Sequence, residues 1–302
     1  MPKGQRQELR FVCREYRGLE VLCAWIAKGG SHCPVIWRFA IWYWVLSVTA
    51  TEPLSSFAAI PSGKQLERKE KCEMKGTRHN GRSGKNGVYN PLHNDRRFNP
   101  EHSEHIDNER VRQNIYWDCY QGYTTMEDQG KENNFSFEQI ELAFYEEHYG
   151  NYVMKQNERH VKARHPDRCK EVEDVWKNKK TCPEESIYQL GTIDEHASVE
   201  TLILVFDEFK KEFDERFGSN VHIIDWSLHM DEATPHIHER HVFDATNRYG
   251  EIEPKQETAL EELGFELPDP EKKRSKTNNR KVVFDSACRT MFLDICKRHG
   301  LE

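Results

Sequence analysis

Two short runs rich in β-branched and aromatic residues, "VHIIDWSL" (221–228) and "PHIHERHVF" (235–243), flank the six residues "HMDEAT". Their composition favours strands, and a tight turn at 231–234 makes them antiparallel neighbours. Along a strand, alternate side chains share a face. His236 and His238 therefore point to one side while Ile237 faces a core. His229, at the end of the first run, reaches the same point across the turn. Three neutral imidazoles suit a divalent transition metal and leave positions open for substrate. Pro235 stiffens the entry to the second strand, and Glu232 in the turn can serve as a base or as an anchor for a ligand. The competing reading is a hairpin with surface histidines; the third histidine and the acid in the turn favour the metal. Spacing alone names neither the metal nor the reaction.

The chain as a whole is consistent with one or two folded domains: 36% of its residues are hydrophobic and 11% aromatic. Nine cysteines with no C-x-x-C pair suggest reduced thiols and a cytoplasmic protein. Residues 1–73 differ in character from the rest of the chain. They hold four of the seven tryptophans and the apolar run "PVIWRFAIWYWVLSVTA", which is interrupted by Arg38 and too short for a membrane span. We expect a mis-called extension over 1–73 and a functional domain over 74–302, with no membrane association. Helical spacing predicts a long helix over 136–165 capped by Ser136, followed by a polar connector through "KNKKTCPEE". A second helix is predicted over 198–217, with Leu202, Phe206, Phe209, Phe213 and Phe217 on one stripe. A last one uses Phe284, Cys288, Phe292 and Ile295.

Net charge is −7, which argues against general adhesion to nucleic acid. The charge is unevenly spread. Residues 75–97 hold six Lys or Arg against one acid, and residues 272–281, "KKRSKTNNRK", hold six against none. Residues 184–215 hold ten acids against two lysines, a face expected to point away from any DNA.

"HMDEATPHIH" resembles the H-x-D-E-x-T-P-H-x-H motif of the Mob/Pre (MobV-type) plasmid mobilisation relaxases, within the HUH endonuclease class. "RHNGR" (78–82) resembles that family's early H-N-x-R motif. "HIDNERVRQNIYWD" resembles its D-I-x-x-x-R-x-x-x-N-Y segment, except that Asn114 and Tyr116 are separated by Ile115. The resemblance covers about 74–245, with weaker support to 302. It implies an α+β fold: a central antiparallel sheet of about five strands with helices packed on one face. It implies His229, His236 and His238 as ligands of Mn²⁺ or Mg²⁺, Glu232 as an acid/base or orienting carboxylate, and His79 as nucleophile. His93, Tyr89 and Tyr116 are the competing nucleophiles. The basic runs would then supply phosphate contacts through Arg78, Arg82, Arg96 and Arg97, and through Lys272, Lys273, Arg274, Lys276, Arg280 and Lys281.

The implied activity is metal-dependent, strand-specific nicking of single-stranded or hairpin DNA at an origin of transfer, through a covalent 5′-phosphate intermediate. Other transfer proteins are candidate partners, and no small-molecule substrate is expected. The rival readings are an HUH replication initiator or transposase, and a DNA-binding regulator that keeps the metal for structure. A small-molecule metallohydrolase would leave both basic runs and "RHNGR" without a role.

Overall fold

The hairpin read around the histidine turn forms the middle of the fold, and the sheet grows outward from it. The computed structural model describes residues 75–80, 91–97, 106–128, 131 and 134–301. The proposed extension 1–73 and its boundary, together with Arg82 and Tyr89, lie outside the described residues. In chain order the strands are β1 (Gly76–Asn80), β2 (Ile115–Asp118), β3 (Gly122–Thr125), β4 (Glu184–Leu190), β5 (Val221–His229), β6 (His236–Thr246) and β7 (Ile252–Pro254). They form one seven-stranded sheet in the order β1-β4-β6-β5-β2-β3, with β7 paired to β6, and every pairing is antiparallel. The antiparallel α+β architecture agrees with expectation, with seven strands where about five were expected.

The main helices are α1 (Pro91–Asn94), α2 (Phe137–Lys162), α3 (Val172–Trp176), α4 (Val199–Phe217), α5 (Gln256–Glu262) and α6 (Arg280–Arg298). α2 starts where a capping box sets it: Ser136 accepts from the Gln139 backbone N–H, and the Gln139 side chain accepts from the Ser136 N–H. A short 3₁₀ turn, Val111–Gln113, precedes β2.

The two faces of the sheet do different work. Tyr188, Leu190, Trp226, Leu228, Ile237 and Phe243 pack under α4 and α6 in the apolar core. The predicted stripe of α4 is buried there, and Phe209 lies against Phe206, Phe213, Tyr188 and Phe292. Burying one such ring contributes roughly 1.5–3 kcal/mol. The opposite face carries His236, His238, Arg240 and Asp244, and α2 crosses it: Arg240 donates to Glu141, and Tyr149 donates to Asp244. Helices thus cover both faces, not one, because the charged residues of β6 need partners as much as its apolar ones do.

The polar connector read through Glu185 ends inside β4, a strand between β1 and β6 that the sequence reading does not anticipate. Its apolar residues, Ile187, Tyr188 and Leu190, follow a long run of Lys, Asn and Glu that hides the alternation.

Phe209→Ala should destabilise the protein by roughly 3–5 kcal/mol, the cost of a large cavity at a fully enclosed ring. Denaturant unfolding reads this directly, and a loss below ~1 kcal/mol would show that α4 does not pack as described.

Candidate metal centre and flanking strand

β5 and β6 meet in a register that sets His229 opposite His236 and Ser227 opposite His238. The three imidazoles converge, with ring centroids 4.7 to 5.5 Å apart. Each ring has one nitrogen held from outside. His238 Nδ1 bonds Glu185 Oε1 at 2.8 Å, His236 Nδ1 bonds the Thr234 carbonyl at 2.8 Å, and His229 Nε2 bonds the Asn94 carbonyl at 2.9 Å. Carbonyls only accept, so those two ring nitrogens carry the hydrogen. Burial pushes the Glu185 carboxyl up, but its bond to His238 brings it down to about 2, so it too accepts.

The inward nitrogens, His229 Nδ1, His236 Nε2 and His238 Nε2, therefore present lone pairs. Two of them, on His236 and His238, stand 3.0 Å apart, and the buried His229 Nδ1 has no hydrogen-bond partner. Facing lone pairs repel, and a cation between them removes the conflict. Burial and neighbouring imidazoles lower the pKa of His229 and His236, which keeps them neutral and able to ligate. The donor set fits a divalent transition ion.

Two further groups border this point. His93, on α1, joins His229 and His238 with all three potential ligand atoms within 4.8 Å of one another, and Glu232 does the same with His229 and His236. Burial and then Arg96 lower His93 to about 4. Glu232 accepts from Arg96 at 2.6 Å. Burial raises its carboxyl, but His236 and Arg96 outweigh this and hold it below its usual value. It is therefore ionised at neutral pH, which suits an orienting carboxylate and not a proton donor.

Two residues of the centre escaped sequence reasoning as site members. His93 stood only as a rival nucleophile, and its nearness to Arg96 and Asn94 in "LHNDRR" is the sole local signal. Glu185 was grouped with the acids expected to face away, and nothing marks it until β4 is recognised as the neighbour of β6.

His79 lies on edge strand β1 and is exposed. It pairs with Ile187, which pairs with His238. Residues paired in this way share a face, so His79 stands two strands from His238, about 10 Å along the sheet, on the side of the imidazoles. Its two neighbours turn to the other face and are clamped by one carboxylate of α6: Arg78 Nη1 reaches Asp285 Oδ1 at 3.1 Å, and Asn80 Nδ2 reaches Asp285 Oδ2 at 3.0 Å. Arg78 also donates to the Tyr188 hydroxyl and to Ser186. Tyr116 pairs with Ser227, which pairs with His238, so it shares the imidazole face, but it is buried and its hydroxyl is occupied by Met126 Sδ at 3.0 Å, which closes this rival nucleophile to a phosphate.

Several expected DNA contacts are corrected by burial. The Arg78 guanidinium is enclosed by its own partners, and Arg96, also buried, makes a two-point bond to Asp231 at 2.9 and 3.0 Å. Arg280 binds Glu257 and Glu261. Lys281 binds Glu184 and Asp285. These four cations hold elements together. Arg97 is half-buried against Asp95 and Asn134. Lys272, Lys273, Arg274 and Lys276 are exposed, with Lys272 beside Asp269 and Arg274 beside Glu257. No described helix is long and apolar enough to cross a membrane.

Glu185→Gln should weaken Mn²⁺ binding by roughly 10–100-fold, because the amide no longer fixes the His238 ring with a charge. Calorimetric titration with Mn²⁺ tests this, and unchanged affinity would remove Glu185 from the centre. Because His229 and His236 are held below their ordinary pKa, Mn²⁺ affinity should stay flat from pH ~8 to ~6.5 as far as these two rings are concerned and fall at lower pH, where protons begin to compete. A decline already present above pH ~7 would contradict that.

Comparison with known proteins agrees with the motif reading. No curated protein gives a significant match. The chain is similar to a solved MobM relaxase domain (MOBV; Mob_Pre) bound to oriT DNA of plasmid pMV158 with manganese. Identity is 20%, coverage is 56% of this chain and 69% of that chain, and the TM-score is 0.34. Residues 124–264 match the family model Mob_Pre, plasmid recombination enzyme. The matched range includes Glu185, His229, Glu232, His236 and His238 and begins after His79.

Proposed function

We propose that this chain is a plasmid mobilisation relaxase that nicks one DNA strand at an origin of transfer by transesterification. The observation that carries the reading is the row His79–Ile187–His238, which sets an exposed imidazole on the same face as a three-histidine centre. His229, His236 and His238 would hold Mn²⁺ or Mg²⁺. When bound, that ion would offset negative charge on the non-bridging oxygens of the scissile phosphate.

The other parts of the step fall to the chain itself. Burial, and then His238, lower the pKa of His79, so its ring is neutral at neutral pH and has a lone pair to attack with. The ring nitrogen forms a bond to phosphorus as the bond to the 3′-oxygen breaks. The imidazole gives up its proton and the departing 3′-oxygen gains one. The resulting phospho-histidine carries the 5′ end, and attack by a 3′-hydroxyl reverses the sequence and reseals the strand. Asp285 acts as a positioning residue: by binding the residues on both sides of His79 it fixes the direction in which the ring projects. Glu232, anchored by Arg96, orients the imidazoles. The exposed cations Lys272, Lys273, Arg274 and Lys276 would contact phosphates.

The deciding experiment incubates the full chain and Mn²⁺ with single-stranded oligonucleotides tiled across the DNA flanking its gene, and maps any covalent adduct by mass spectrometry. We expect the adduct on His79 and its loss in His79→Ala, with DNA affinity retained. A DNA-binding regulator would bind without forming any adduct, and an adduct on a tyrosine would remove His79 from the role.

Asp285→Ala should slow adduct formation by an order of magnitude or more while leaving Mn²⁺ and DNA affinities near those of the wild type. Asp285→Glu should recover part of the rate. Equal losses in rate and affinity would indicate general disruption instead of mispositioning.

A further inference from the structure

The second half of α2 carries an apolar surface that the sheet does not use. Up to Val153 the helix buries a continuous stripe, Phe137, Ile140, Phe144, Tyr149 and Val153; beyond Val153 none of its residues is buried. Met154 and Val161 lie two turns apart on one side of this half and are 54% and 57% exposed. With Val153 and Val172 they floor a recess of about 560 Å³ between the helix and residues 170–172. Contiguous apolar surface of this kind marks a contact with another molecule.

Two features show that the recess is formed before anything enters it. Its outer wall is tied to the helix: Asn157 Nδ2 donates to the Lys170 carbonyl at 2.8 Å, and the Lys170 N–H donates to Asn157 Oδ1 at 3.0 Å. At its other end stands Gly150, inside the helix, where glycine is unfavourable. A Cβ built there would meet nothing within 4 Å, so the chain's own packing does not call for a glycine. A bare backbone at this point suits the close approach of another main chain.

The charges on the rim indicate what approaches. Glu158 and Lys162 continue the ridge of Gly150 and Met154 at intervals of four residues, and Lys170 and Glu171 edge the opposite wall. At the same spacing Glu173 and Lys177, and Glu212 and Arg216, close into ion pairs. Glu158 and Lys162 do not, nor does either pair with another described residue. A partner of a single charge sign is not selected, because each wall would attract it at one residue and repel it at the next. The order is acid then base along the helix, and base then acid along the other wall. A two-fold axis reverses the direction of the helix, so a second copy brings its Lys162 to Glu158, its Glu158 to Lys162, and apolar floor to apolar floor.

We propose that this recess is a two-fold contact between copies of the chain, with α2 of each copy against the recess of the other. The exposed half of the helix, 150–162, is roughly 20 Å long. That is small beside the ~1,600 Å² which a standard stable interface buries, so the association is weak and depends on concentration. The inference does not rest on the nicking reading, and its test reads association alone.

The test is sedimentation velocity of the full chain in EDTA and a reducing agent, so that neither a shared metal ion nor a disulfide joins two copies. Concentration is varied over about 1–300 µM, the span in which a small interface acts. The wild type should pass from monomer towards dimer. M154Q/V161Q, changed at two side chains that are more than half exposed, should stay monomeric and keep its melting temperature. E158K and K162E should each weaken association by about tenfold or more, since each turns two attractive pairs into repulsive ones. An equimolar mixture of these two variants should recover association, because both pairs in the mixed dimer are again opposite in sign. A wild type that is monomeric throughout overturns the proposal. So does association that any of the three variants leaves intact, or a mixture that associates no better than its components.

Discussion

The alternation along β6 is the constraint on which the rest of the molecule depends. Eleven residues, His236–Thr246, lie between β4 and β5, and all but the two at its ends are buried. One side must serve the apolar core, which takes Ile237, Phe243 and Ala245. The other side presents His236, His238, Arg240 and Asp244, and a strand with polar groups on a buried face is stable only if each finds a partner. The hydrogen bonds from Arg240 to Glu141 and from Tyr149 to Asp244 are those partners, and together they lay α2 along the face. A single-residue slip of β6 would put His236 and His238 into the core and Ile237 into the place of the candidate ligands, so the register of the sheet and the site are one requirement.

Below the imidazoles the same logic produces a row of charge across four strands. Glu185 pairs in register with Arg240, Arg240 with Asp225, and Asp225 with Asp118. Three carboxylates beside one guanidinium cannot all be ionised in a closed interior. Burial pushes the Asp225 carboxyl far up, with Glu141 adding to the shift, and raises Asp118 to about 6. Asp225 is therefore protonated, and Glu141 remains to accept from Arg240 and from Trp176 Nε1.

How much of this could be read in the sequence depends on whether a residue's partner was near it in the chain. β5, β6 and the three histidines were legible because the turn between them is short and both periods are strong. α2 and α4 were legible because capping serines and apolar stripes are local signals. β4 was not, since three apolar residues after a charged run do not show a strand until the neighbouring strands are known. Glu185 was lost with it, although it fixes His238. The arginines failed for a related reason. Charge in a sequence says that a partner exists and not which one. Arg78 and Arg96 find theirs at Asp285 and Asp231, more than a hundred positions away.

This bears on what a motif such as "RHNGR" consists of. On a strand, neighbouring letters face opposite sides, so Arg78 and His79 cannot do the same work. Arg78 passes beneath the sheet to α6, and His79 projects above it towards the histidine centre. β1 is a five-residue edge strand with β4 as its sheet neighbour, and backbone pairing alone would leave it weakly held. The clamp from Asp285 to Arg78 and Asn80 supplies the missing restraint from the face opposite the imidazoles, and leaves that face open. The arginine then stands beside the histidine for mechanical reasons: a ring held out on one face of an exposed edge is fixed by anchoring on the other.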